Sequence, residues 1–130
     1  MKTCCRLSLL LAFFIVCSAA AFGQTTRIKF SPGATSAVVT GTLSGYKSHK
    51  TFIIRVRNGQ TMTTSNAGSH HITVDITAPP GSTYEPDLAA DCHDRQEVSP
   101  TAGGDYKITV TECQKADRWK GTFKLRVKVR

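Results

Sequence analysis

The chain carries none of the compact signatures that mark common catalytic centres. GxSxG, HExxH, P-loop and GxGxxG patterns are all missing, which removes nucleophile-elbow hydrolases, zincins, P-loop NTPases and dinucleotide-binding folds as readings. No CxxC pair and no HxxxH occurs, so the ligand spacing of a structural zinc site is lacking. After residue 23 there is no apolar run near the ~20 residues of a membrane span. Nor is there a 3.6-residue apolar period, a repeat or a low-complexity tract, which argues against helical bundles and solenoids. Acidic residues are scarce, nine against 17 Lys and Arg, and tryptophan occurs once.

The N-terminus has the three parts of a secretory signal. Lys2 and Arg6 give a positive start, Leu7 to Cys17 an apolar run, and Ser18-Ala-Ala-Ala21-Phe-Gly23 a small-residue stretch. Ala21 and Gly23 place small side chains third and first before a cut, which predicts a signal peptide over residues 1–23 and a mature start at Gln24. An uncleaved anchor would need a longer apolar stretch. Lipidation of Cys17 would need a small residue where Val16 stands. The expected location is periplasmic or secreted, with no membrane anchor after cleavage.

Cleavage leaves residues 24–130, enough for a single domain and too few for two. Fifteen cations then face nine acids, a net charge of +6. That balance suits acidic clefts, anionic glycans, nucleic acid or membrane surfaces as partners. Cys4, Cys5 and Cys17 leave with the signal, so the mature chain keeps Cys92 and Cys113, an even number in an oxidising compartment. A disulfide between them is the economical reading; it closes a loop of about 22 residues, for which chain entropy gives roughly 3 kcal/mol. A thiol metal site using His93 competes, but adjacent strand residues point to opposite faces. No metal and no cofactor are expected.

Short alternating runs separated by Gly, Pro and Asn turns predict strands throughout. Arg27 to Phe30 reads as a strand ended by Ser31-Pro32-Gly33. Ala37, Val39 and Leu43 alternate up to the Gly45 turn. Phe52, Ile54 and Val56 share one face of the next strand, and Asn58-Gly59 then predicts a tight hairpin into Gln60 to Thr64. Ile72, Val74 and Ile76 point inward until Pro79-Pro80-Gly81. Residues 78–104 are irregular, with a short strand near Arg95 to Val98. Tyr106, Ile108 and Val110 begin a strand running to Cys113, and Phe123, Leu125, Val127 and Val129 face inward on the last. About eight short strands make an all-β domain, an antiparallel Greek-key β-sandwich or barrel.

The histidines His49, His70, His71 and His93 have no nucleophile partner by sequence, and Ser69-His70-His71 reads as the solvated start of a strand. An acid pair drawn from Asp91, Asp94 and Glu97 sits in a solvated loop with nothing to raise a carboxyl pKa. Lys124, Arg126, Lys128 and Arg130 face outward on the last strand, which reads as charge protecting an exposed or edge strand. Nucleic-acid binding would want aromatics interleaved in that row, so nucleic acid is not an expected partner. The most specific feature is the connection Cys113 to Gly121. It holds Trp119 between Arg118 and Lys120, and Trp and Arg are the residue types most enriched in binding hot spots. Trp119 reads equally as a lid folded over the sandwich end.

Several pieces together resemble one family. Ile28-Lys-Phe30 with Pro32-Gly33-Ala-Thr-Ser36-Ala37, then Gly41, Gly45-Tyr46, Asn58-Gly59-Gln60-Thr-Met62, Pro79-Pro80-Gly81 and Gly103-Gly104-Asp105-Tyr106 are similar to the bacterial periplasmic inhibitors of goose-type lysozyme. Those in turn resemble prepeptidase C-terminal β-sandwich domains. The resemblance implies two arginines four residues apart in the final loop, entering the lysozyme cleft. Arg118 matches the second, while Gln114 stands where the first is expected, beside Lys115. It implies a non-enzymatic, exported inhibitor that blocks goose-type lysozyme with Gln114, Lys115, Arg118, Trp119 and Lys120. The alternative is a prepeptidase-type binding module for glycan or protein at the cell surface. No oligomeric state is assigned.

Overall fold

The computed structural model describes residues 25–86, 92 and 94–130; the predicted signal segment, Asp91 and His93 lie outside them. The described residues form eight strands: β1 (Thr25–Arg27), β2 (Ser36–Ser44), β3 (His49–Val56), β4 (Met62–Asn66), β5 (Ile72–Thr77), β6 (Arg95–Val98), β7 (Gly104–Glu112) and β8 (Lys120–Val129). They form two four-stranded sheets of order β1-β3-β7-β5 and β2-β8-β4-β6. Every pair is antiparallel except β1 with β3, which is parallel. The described residues form an all-β sandwich of two open sheets, and the expected alternative of a barrel falls away.

The core lies between the inner faces. Phe52, Ile54 and Val56 of β3 and Tyr106, Ile108 and Val110 of β7 meet Leu125, Val127 and Phe123 of β8. Phe52 and Phe123 meet edge to face, with centroids 6.2 Å apart and planes at 83°, an arrangement that suits the ring quadrupoles. Gly41 makes room for this contact. A Cβ there would come within 2.7 Å of the Phe123 ring and 2.9 Å of the Lys50 stem.

Three expectations change. β1 covers Thr25–Arg27, not Arg27 to Phe30: one further bond to β3 follows, from Ile28 N–H to the Ile53 carbonyl at 2.8 Å, and Ile28 and Phe30 pack on the core. The Asn58-Gly59 turn exists, with Gly59 at φ 78°, but it is not a hairpin. β3 and β4 belong to different sheets, and the turn is held by Thr101, which exchanges backbone bonds with Gly59 and Gln60 and donates its hydroxyl to the Arg57 carbonyl at 2.6 Å. Finally, β8 is a central strand between β2 and β4. Its row of Lys124, Arg126 and Lys128 is solvent-facing but guards no edge.

Candidate functional site

At one end of the sandwich the β7–β8 connection crosses between the sheets. The inward alternation of β7 continues past Val110, so Glu112 falls on a core position and is 1% exposed. Its Oε1 accepts the Trp119 backbone N–H at 2.7 Å, while Oε2 is buried without a hydrogen-bond partner. A buried hydrogen bond of this kind is costly to break. This one clasps the loop across its base.

Three further ties hold the loop. A disulfide joins Cys113 to Cys92, 21 positions away. The His71 carbonyl accepts both the Cys113 N–H at 3.2 Å and the Trp119 Nε1–H at 3.0 Å. Tyr46, on the β2–β3 turn, donates its hydroxyl to the Ala116 carbonyl at 2.8 Å.

Trp119 is half-buried, packs against the core and lies flat on His70, with ring centroids 4.2 Å apart and planes 7° from parallel. Trp119 thus folds back over this end of the core. His70 is half-buried beneath it, not a solvated strand start; His71 does expose its side chain. Gly121, at φ 150°, lets the chain turn into β8 beside His70: a Cβ there would sit 3.5 Å from His70 Nε2.

Gln114, Lys115, Arg118 and Lys120 are all exposed. The Arg118 guanidinium sits 4.7 Å from the Tyr46 ring centroid, a cation–π distance. Gln114 and Arg118 share a cleft of about 610 Å³ with Tyr46 and Lys47. Lys115, Arg118 and Trp119 line a second of about 470 Å³ with His70 and His71. The structure thus gathers Gln114, Lys115, Arg118 and Trp119 at one end, with Lys120 at the start of β8. The sequence alone gives Glu112 no role, places Tyr46 only in a turn, and reads His70 as a solvated strand start. Glu112 was signalled by the alternation of β7, whereas the contacts of Tyr46 and His70 had no local signal.

Among the described residues no group of three or more His, Cys, Asp or Glu is placed to hold a metal, and the thiols of Cys92 and Cys113 are engaged with each other. Asp94 and Glu97 are exposed, and Glu97 pairs with Arg95 at 3.2 Å.

This is an all-β, two-sheet sandwich presenting a tethered, cationic loop at one end. No protein-family model matches the chain, and no curated protein matches it. Solved structures do share its fold. Aeromonas hydrophila PliG, a periplasmic lysozyme inhibitor of g-type lysozyme, superposes with a TM-score of 0.62 at 24% identity, covering 82% of this chain and 96% of its own. Salmonella Typhimurium PliG, of the same description, gives 0.63 at 18%, covering 84% and 100%. A mutant of Escherichia coli PliG gives 0.60 at 20%, covering 84% and 100%. At these identities the likeness is one of fold.

Proposed function

We propose that this protein is an exported inhibitor of g-type lysozyme that works by occlusion. The observation that carries the reading is the placement of Arg118: exposed, stacked on Tyr46 at 4.7 Å, on a loop tied down by Glu112, Cys92, His71 and Tyr46. A loop ordered before binding loses little conformational freedom on docking. Its guanidinium is then available, as a planar fork, to a carboxylate in a glycosidase cleft. The fold likeness to the PliG inhibitors supports the same partner class.

In this reading Arg118 and Trp119 form the centre of the contact, and Gln114, Lys115 and Lys120 its rim. Charges at a rim act mainly on association rate. The signal pattern of residues 1–23 would deliver the protein to the periplasm, where a lysozyme inhibitor protects peptidoglycan.

The test is a turbidity assay with purified mature protein against goose-, chicken- and invertebrate-type lysozymes. Selective, saturable inhibition of the goose type is expected. Absence of inhibition of any of the three overturns the reading.

A further inference from the structure

A cluster of positive charge lies away from the loop, at the opposite end of the sandwich. β3 runs from His49, level with Thr111 near the loop, to Val56, level with Gly104 at the far end. There, where the chain passes from β1 to β2, a cleft of about 640 Å³ opens. Five cations line it: Arg27, Lys29, Arg55, Arg57 and Arg130. Among the described residues one carboxylate forms an ion pair with this group: Asp105, which takes two bonds from Arg27 at 3.0 Å each. Asp105 is also the cross-strand partner of Arg55. Arg57, Lys29 and Arg130 make no ion pair among the described residues.

Two features separate this cleft from an ordinary solvated face. Four of its five cations are arginine, half of the eight in the chain, whereas the outward row of β8 is mostly lysine. Arginine's rigid fork suits bidentate recognition of tetrahedral oxyanions, and lysine serves as a point charge. The cleft also has an apolar wall. Phe30 is half-buried with its ring against the core, beside Ile28 and Val129. The Arg130 carbonyl accepts from Thr61 N–H at 2.8 Å, so it turns toward β4. Clustered like charges raise the local potential and recruit anions, and a volume of this size holds a small organic molecule.

We infer that this cleft is a binding site for a small organic anion bearing a phosphate or sulfate on an apolar body. Arg55, on the outer face of β3, and Arg57, just past its end, face the oxyanion, and Phe30 faces the apolar part. Arg27 is partly committed to Asp105. The site is independent of the loop around Arg118.

The experiment titrates purified protein with phenyl phosphate, phenyl sulfate, inorganic phosphate and phenyl glucoside, followed by calorimetry and amide chemical shifts. Saturable binding of phenyl phosphate, phenyl sulfate or both is expected, with inorganic phosphate weaker and the neutral glucoside silent. The two aryl anions distinguish the head groups. Arg57→Gln, an exposed position, should weaken binding about tenfold, the worth of one charge-assisted hydrogen bond. Asp105→Asn, which frees the Arg27 fork, should tighten it. Shifts should centre on residues 27–30 and 55–60, and Arg118→Ala should change nothing. Failure to saturate, equal affinity for all four probes, or equal weakening by Arg57→Gln and Arg118→Ala would overturn the assignment, because each outcome leaves only diffuse charge attraction.

Discussion

The Trp119 indole lies flat against the His70 imidazole, 4.2 Å between centroids and 7° from parallel, while its Nε1–H donates to the carbonyl of His71 at 3.0 Å. One side chain therefore both covers the sandwich end and anchors the loop that carries Arg118. Trp119→Phe keeps an aromatic face but loses the hydrogen bond, which should cost about 1 kcal/mol. Trp119→Ala also removes the cover and should cost about 2–3 kcal/mol for a partly buried ring. Urea denaturation checks both; a Trp119→Phe midpoint equal to the parent's would deny the hydrogen bond a role, and equal midpoints for the two variants would deny the cover one.

The Cys92–Cys113 bridge ties the irregular segment before β6 to the base of the loop. Cys92→Ser should lower stability by roughly 2–4 kcal/mol, and thiol labelling of the native protein should find no free cysteine at either position. Two reactive thiols, or an unchanged denaturation midpoint in Cys92→Ser, would count against the bridge.

Arg27 donates two hydrogen bonds to Asp105, and these bonds hold the Asp105 carboxyl below its ordinary range. A carboxylate lowered in the folded state contributes stability above its unfolded pKa and loses that contribution as pH falls through the folded value. Both side chains are solvent-exposed, so the effect is small. Asp105→Asn should be slightly less stable than the parent at neutral pH. The two should converge as the pH falls below the ordinary carboxylate range. Denaturation midpoints measured stepwise through that interval decide it, since a gap that persists at the acid end cannot come from this pair.

The sequence made the strands legible and left most of their neighbours obscure. Alternation alone placed Phe52, Ile54, Val56, Tyr106, Ile108, Phe123 and Leu125 inward, and all are buried, because a two-residue period is a property of each strand by itself. Pairing partners follow from how two faces fill one core, which no local pattern encodes. That is why Asn58-Gly59 reads as a hairpin but links two sheets, and why β8, read as an exposed or edge strand, is exposed on its outer face but central in its sheet. The exposed loop residues Gln114, Lys115, Arg118 and Lys120 were readable from composition. Their supports were not: Tyr46 reaches Ala116 across 70 positions, and His70 meets Trp119 across 49. Glu112 was within reach, since the inward run 106, 108, 110 continues to it.

The loop itself carries the most exposed claim. Arg118 is solvent-facing and supports no core, so Arg118→Ala should fold as the parent does. If its guanidinium meets a buried lysozyme carboxylate, losing it leaves that charge unpaired, which costs about 2–5 kcal/mol, or roughly 30- to several-thousand-fold in affinity. Tyr46→Leu separates contact from support: it removes the ring under Arg118 and the bond to Ala116 while leaving the guanidinium. About 1–2 kcal/mol of inhibition should go with the ordering it provides. Gln114 shares a cleft with Arg118 and Tyr46, so Gln114→Arg would set a second fork beside the first and should strengthen inhibition. Lys120→Ala, at the rim, should slow association and flatten its salt dependence with little change in dissociation. These effects are read as Kd and rates for g-type lysozyme, with denaturation midpoints alongside. If Arg118→Ala inhibits as well as the parent while Lys120→Ala does not, the contact is centred elsewhere on this end of the sandwich.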